Sequence, residues 1–229
     1  MLNNYDSVYH LHIPRTSGIF IKNHMLHEFK DKHVFATHYK DINLKEIEKC
    51  YFVSGHFGTT PLGYMNNPLL FSVLRNPVDR YISYIKYTRD FFNNMTEKEL
   101  LDMWLYDENF YDKHINSQIK FILNHIDLKK YNGSNIKDKV VNNWFIVSNN
   151  IDVKKAKSVI DNNHIFTMNN IELLTKNICQ ILQVNNFKHY SKINESEQFE
   201  IKLNKKQYAR IEHINALDME LYDYARKKE

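Results

Sequence analysis

With 229 residues, 43% of them hydrophobic and 14% aromatic, the chain can bury a sizeable core, which excludes global disorder. A net charge of +4, from 31 basic and 27 acidic side chains, is too slight to mark a nucleic-acid protein but suits a site for a small polyanion. Cys50 and Cys179 stand far apart with no CxxC pair and no metal-ligand spacing, so two reduced, buried thiols are expected. The first residues form no secretory signal, and no run approaches the roughly 18 apolar residues of a membrane span; the expectation is a soluble, cytoplasmic protein without a membrane partner.

In chain order, Val8–Ile13 is an apolar and aromatic run closed by Pro14, and predicts a strand. Gly18 marks the turn into a helix that runs to Phe29, with Ile21, Met25 and Phe29 at helical spacing and Leu26 beside them. A second strand is expected at His33–Thr37, a short helix at Ile42–Lys49 and a third strand at Cys50–Ser54. Leu69–Leu74 is apolar except for Ser72, the pattern of a strand buried on both faces of a parallel sheet. A helix start follows at once: Asn76 as N-cap, Pro77 in the first helical position, Asp79 in the first turn.

Thr96 and Glu99 form a capping box ahead of Leu100, Leu101, Trp104 and Leu105. Asp112–Leu123 reads as one further helix, Asp127–Asp138 as an exposed loop and Trp144–Val147 as a strand. Val153–Ile160 predicts a helix, Ile165–Thr167 a short strand and Ile171–Leu182 an amphipathic helix. Asn186–Phe199 is irregular, and Lys205–Lys227 closes the chain as one long helix. The aromatic series Tyr81, Tyr84, Tyr87, Phe91 and Phe92 is assigned to the core. Strands alternating with helices predict a single α/β domain over residues 1–229, with a central, mostly parallel sheet flanked by helices.

In such folds ligands bind beyond the carboxyl ends of the strands, where two loops draw attention. The first, His12-Ile13-Pro14-Arg15-Thr16-Ser17-Gly18, turns from strand to helix, so unpaired N–H groups and the helix dipole favour an anion; Arg15 adds a planar donor fork, and Thr16 and Ser17 add hydroxyls. It lacks the GxxxxGK[ST] spacing of a Walker loop, which disfavours a nucleoside triphosphate kinase. The second, Leu74–Tyr84, sends Arg75 off a strand end beside a helix start, with Ser83 further along that helix. Taken singly, either loop reads equally as an ordinary polar turn with a surface arginine. No HExxH or EF-hand spacing is present, so no metal site is expected.

The first loop resembles the H-[IV]-P-K-T-G-G-T-[ST] phosphosulfate loop of sulfotransferases that use PAPS (3′-phosphoadenosine 5′-phosphosulfate). The branch it resembles most holds the heparan-sulfate and related glycan O-sulfotransferases. Leu74–Tyr84 is similar to that family's R-[DN]-P-[VI]-[ED]-R-x-x-S-x-[YF] motif, which grips the nucleotide 3′-phosphate. Ser54-Gly55-His56-Phe57 resembles a G-H-F segment with a catalytic histidine, Asn116-Ser117-Gln118 an N-x-Q motif, Asn194-Glu195-Ser196 an N-x-S loop, and Leu217–Tyr222 a closing L-D-x-x-L-Y helix.

The resemblance implies a P-loop-like domain that moves the sulfuryl group of PAPS to an acceptor hydroxyl, on a glycan or a small hydroxyl compound, and releases PAP. It implies that Pro14, Arg15, Thr16, Ser17, Gly18, Ile19, Phe20, Arg75 and Ser83 bind the nucleotide. His56 would be the base and Arg15 the cation at the reacting group, and Asn116 and Gln118 would contact the acceptor or shape its site. His56 suits the role of base, since an unperturbed imidazole titrates near 6.5. The chain departs from the pattern at three points: Arg15 replaces lysine, Ser17 replaces a glycine, and Ile19-Phe20 replace two hydroxyl residues. Those departures leave open a rival, a PAP- or PAPS-binding protein of the same fold that has lost catalysis.

Overall fold

Two strands that alternate their side chains between opposite faces set the layers of this fold. The computed structural model describes residues 5–36, 44–126, 151–169, 171–184 and 201–229. Strands β1 (Ser7–Leu11), β2 (Val34–Ala36), β3 (Phe52–Gly55), β4 (Pro68–Leu74) and β5 (His164–Thr167) form one all-parallel sheet in the order β2-β3-β1-β4-β5. The chain is therefore an α/β protein, with helices on both sides of the sheet.

One face carries Val8, Phe52, Leu69, Phe71 and Val73. It packs against Ile21, Met25 and Phe29 of and beside α1 (Gly18–Glu28), and against Leu174, Ile178 and Leu182 of α8 (Ile171–Leu182). The opposite face carries Tyr9, Leu11, Val53, Leu70 and Leu74. It is covered by α6 (Ser117–Leu123), α7 (Val153–Asp161) and α10 (Ala216–Arg226) through Ile119, Ala156, Ile160, Leu221 and Ala225. Each fully buried aliphatic or aromatic side chain here contributes roughly 1.5–3 kcal/mol over its exposed state, so these two layers supply most of the stabilisation.

A third cluster joins α3 (Pro77–Thr88), α4 (Glu97–Tyr106) and α9 (Lys205–Ile214) through Val78, Tyr81, Ile85, Trp104 and Ile211. The buried Tyr81 hydroxyl finds its acceptor in Trp104 O at 2.6 Å. Asn76 Oδ1 accepts from Val78 N and Asp79 N at the start of α3, and the Thr96–Glu99 capping box opens α4, both as the sequence predicts.

Three expectations change. The helix expected over 112–123 shortens to α6, Ser117–Leu123, with turns at 112–116 that separate it from α5 (Glu108–Tyr111), because Asn116 adopts φ 47° and its backbone is tied to Asn215. The closing helix likewise breaks between α9 and α10 at buried Asn215. Tyr87 and Phe91, assigned to the core, are 50% and 69% exposed, whereas Tyr81 is buried. Helix spacing put them in one series, but α3 turns only one stripe inward. The expected loop at 127–138, the strand at 144–147, the irregular segment 186–199 and the Asn194–Ser196 motif lie outside the described residues.

The sheet order locates a crevice. After β1 the chain moves toward β2 on one side, and after β4 it moves toward β5 on the other. Neighbouring strands whose connections diverge leave a gap at their carboxyl ends, the usual ligand position in open α/β sheets. Here the gap lies between the loop 12–17 after β1 and the loop 75–76 after β4.

Candidate functional site

The β1–α1 loop holds two non-glycine residues in the left-handed region, Arg15 at φ 70° and Ser17 at φ 62°. Each such conformation costs on the order of 1–3 kcal/mol and persists only where its surroundings enforce it. They do so here. Thr16 is buried, and its hydroxyl turns back to donate to Ile13 O at 2.8 Å; Ser17 Oγ donates to Met168 Sδ at 3.2 Å, a weak acceptor just beyond β5. Both hydroxyls that the sequence offers to the anion are thus already engaged. Gly18 is required for another reason: a Cβ there would stand 1.8 Å from Cδ2 of His12, so α1 starts directly against that ring.

Arg15 and Arg75 come together across the crevice. Arg75 Nη1 donates to Arg15 O at 3.3 Å, and Arg15 Nε donates to Ser83 Oγ, on the second turn of α3, at 3.0 Å. The Arg15 guanidinium also lies over the Tyr87 ring, 5.2 Å from its centroid. Neither arginine forms an ion pair with a carboxylate among the described residues. Burial lowers both pKa values; the charge of Arg75 lowers that of Arg15 further, while Asp79 partly offsets the effect at Arg75. Both remain cations, since even a depressed guanidinium stays far above neutrality. Two half-buried positive charges without a paired anion are a standing electrostatic cost that a polyanion would relieve.

The backbone of Arg75 is fixed by Gln118. Arg75 N donates to Gln118 Oε1 and Gln118 Nε2 donates to Arg75 O, both at 2.9 Å. Gln118 is 1% exposed, so its amide is consumed in positioning Arg75. Asn116 is similarly committed: its Oδ1 accepts from Leu217 N and Asp218 N, and its Nδ2 donates to Ile214 O. In return Asp218 accepts from Gln118 N and Ile119 N. The N-x-Q and L-D-x-x-L-Y segments therefore cap each other's helices. Both amides are engaged within the fold, and Gln118 shapes the site through Arg75.

His56 follows β3 on the other side of β1. The ladder runs one rung past the strands, with His12 N donating to Gly55 O at 3.0 Å and His56 Nδ1 donating to His12 O at 2.5 Å. A carbonyl only accepts, so Nδ1 carries the proton and the lone pair of the neutral ring lies on Nε2, the tautomer a general base needs. The His56 and His12 rings are 4.4 Å apart, and His10 stacks beneath His12 at 5.4 Å. Burial, then electrostatic coupling to His56 and Lys22, pushes His10 down to about 3, which keeps it neutral within the core. Among the described residues, no group of three or more His, Cys, Asp and Glu side chains is placed to hold a metal ion.

Of the residues expected at the nucleotide, Pro14, Arg15, Ser17, Ile19, Phe20, Arg75 and Ser83 are partly exposed, while Thr16 and Gly18 are buried. A groove of about 880 Å³, lined by residues of 108–116 and 210–217, shares no lining residue with either loop. Among its polar lining groups, Tyr111, Asn116 and Arg210 are hydrogen-bonded within the fold. Cys50 and Cys179 are buried and form no disulfide, and no helix among the described residues is long and apolar enough to cross a membrane. Compared with protein-family models and with curated proteins, the sequence matches none.

Sequence reasoning missed the Gln118 amide on Arg75, the Asn116–Asp218 interlock and the contact between Arg15 and Ser83. A glutamine two residues past an asparagine gave a motif but no partner. The partners lie 43 residues away for Gln118 and 102 for the Asn116–Asp218 bond.

Proposed function

We propose that this protein is a sulfotransferase that moves the sulfuryl group of PAPS to an acceptor hydroxyl and releases PAP. The observation that carries the reading is the pair Arg15 and Arg75: two guanidinium groups from loops on adjacent strands, with Arg75 Nη1 on Arg15 O and Arg15 Nε on Ser83 Oγ, and no carboxylate partner among the described residues, while His56, in the base tautomer, follows the neighbouring strand β3. Such a constellation fits a nucleotide with charge at both its 3′ and 5′ positions. Arg75 and Ser83 hold the 3′-phosphate and so select PAPS over ATP. The N–H groups at the start of α1 face the 5′ end, where charge builds as the sulfuryl–phosphate bond breaks. His56 Nε2 takes the proton of the acceptor hydroxyl as its oxygen bonds to sulfur, a role worth typically 10²–10⁴-fold in rate.

The acceptor is a hydroxyl compound, a glycan by resemblance, and a cytoplasmic location belongs to the same proposal, supported by two buried cysteines that form no disulfide. One observation favours the rival reading, a binding protein without catalysis: Thr16 and Ser17 spend their hydroxyls within the fold, and Ile19 and Phe20 supply none. Incubation with radiolabelled PAPS and a panel of glycans, peptides and small alcohols separates the two. Transfer that collapses in His56→Ala supports the enzyme. PAP binding without transfer, unchanged by His56→Ala, supports the binding protein. If PAP fails to raise the melting temperature, or if Arg75→Ala does not change that rise, both readings fall.

A further inference from the structure

We infer that Arg15 serves the 3′-phosphate rather than the reacting sulfuryl group, so that Arg15, Arg75 and Ser83 form one clamp specific for a phosphate monoester. The inference deepens the nucleotide reading above and rests on it. Sequence position put Arg15 and Ser83 at opposite ends of the nucleotide; the fold puts Arg15 Nε 3.0 Å from Ser83 Oγ.

The chemistry of that bond is directional. A guanidinium only donates, so Ser83 Oγ is the acceptor, and its own O–H proton is left to donate to a further group. Arg15 keeps its remaining N–H donors, and Arg75, anchored through Nη1 to Arg15 O and through its backbone to Gln118, brings a second fork. The donors thus come from two loops and one helix. A phosphate monoester offers three terminal oxygens and, with a second pKa near 6, close to two negative charges at pH 7. It matches two unpaired cations better than a diester or a sulfate ester, each of which carries one charge.

The backbone and the aromatic neighbour direct Arg15 toward this end. Its φ of 70° sets the side chain's departure from the loop, and the Tyr87 ring lies against its guanidinium, 5.2 Å from centroid to Cζ. Tyr87 stands one turn beyond Ser83 on α3. Lysine, the family residue at this position, has neither the planar fork to reach Ser83 and an anion together nor the flat face to stack on tyrosine. Arginine at position 15 thereby acquires a job that the motif assigns to the other loop alone.

The test is calorimetric titration of the full chain with two probes, PAP and AMP, which differ only in the 3′-phosphate. The wild type is expected to prefer PAP. Arg15→Ala and Ser83→Ala should each weaken PAP by roughly 10–100-fold, the worth of a charge-assisted contact, and leave AMP unchanged. Arg15→Lys should recover only part of the loss. The double variant should lose less than the sum of the two singles, because they share one contact. Equal weakening of PAP and AMP by Arg15→Ala would place Arg15 at the 5′ end and overturn the inference, while leaving the nucleotide reading intact. A wild type that does not prefer PAP overturns both. Should Arg15→Ala melt without a folded baseline, Arg15→Lys and Ser83→Ala carry the same comparison.

Discussion

Gln118 grips the main chain of Arg75 with both ends of its amide, at 2.9 Å each, and so acts as an extra rung at the end of β4. The geometry explains how a loop arginine is held still without a carboxylate partner: the backbone is fixed, and the guanidinium is left to a ligand. Gln118→Glu keeps the acceptor for Arg75 N but loses the donor to Arg75 O and buries a charge. Gln118→Ala loses both. Each buried group left unpaired costs about 1–3 kcal/mol, so both variants should lower the urea midpoint. Both should also weaken PAP more than AMP, since the displaced residue is Arg75. Unchanged PAP affinity in a folded Gln118→Ala variant would show that the amide is only structural.

Gly18 and Gly63 form a matched pair for the loop. A methyl at Gly18 meets the His12 ring at 1.8 Å, and that ring touches His56. A methyl at Gly63 meets nothing within 4 Å. Gly18→Ala should therefore destabilise by about 1–3 kcal/mol through overpacking and reduce transfer by displacing His12 and His56 together. Gly63→Ala should leave both properties near wild type. Thermal melts and the transfer assay, run side by side, decide the point.

Much of this was legible locally. The apolar run Leu69–Leu74, broken only by Ser72, the N-cap and proline at 76–77 and the capping box at 96–99 are short-range signals, and the structure realises each of them. The helix boundaries at 116 and 215 were not legible, because nothing within either segment breaks a helix by composition. Asn116 and Asn215 break them by bonding each other across 99 residues. The site was half legible for the same reason: strand-end position marked Arg15 and Arg75, and motif resemblance added Ser83 and His56, yet which of them touch depends on the strand order, and that is a property of the sheet. Tyr87 shows the converse, an aromatic at helical spacing that the fold leaves outside.

Two histidines make stability fall in acid. Burial first, then His56 and Lys22, holds His10 at about 3; burial first, then Arg80, Lys120 and Lys113, holds His114 at about 4. Both titrate near 6.5 when unfolded, so between those limits the unfolded chain binds more protons than the native one. Native stability is then complete above pH 6.5 and declines as pH drops toward 4, by about 1.4 kcal/mol per unit for each histidine. His114→Asn should flatten that decline by up to one proton's share, read as urea midpoints from pH 7 to 4. An unaltered slope in the variant would mean that His114 does not titrate as its burial demands.

The reciprocal caps give a final prediction that links the far side of the protein to the ligand. Asn116 accepts from Leu217 N and Asp218 N, while Asp218 accepts from Gln118 N and Ile119 N, so α6 and α10 start from each other's side chains. Asp218 is fully buried, and burial raises its pKa against the pull of Arg80, the two N–H donors and Lys120. Asn116→Ala removes one acceptor that serves two N–H groups, and one donor, from a buried junction and should cost a few kcal/mol, at about 1–3 kcal/mol for each group left unpaired. The loss should also reach the nucleotide, because Gln118 lies two residues along α6 and moves with its cap. PAP affinity in Asn116→Ala is expected to fall while that for AMP holds, in the same ratio as in Gln118→Ala. If the two variants differ, the strain does not travel through α6 to Arg75.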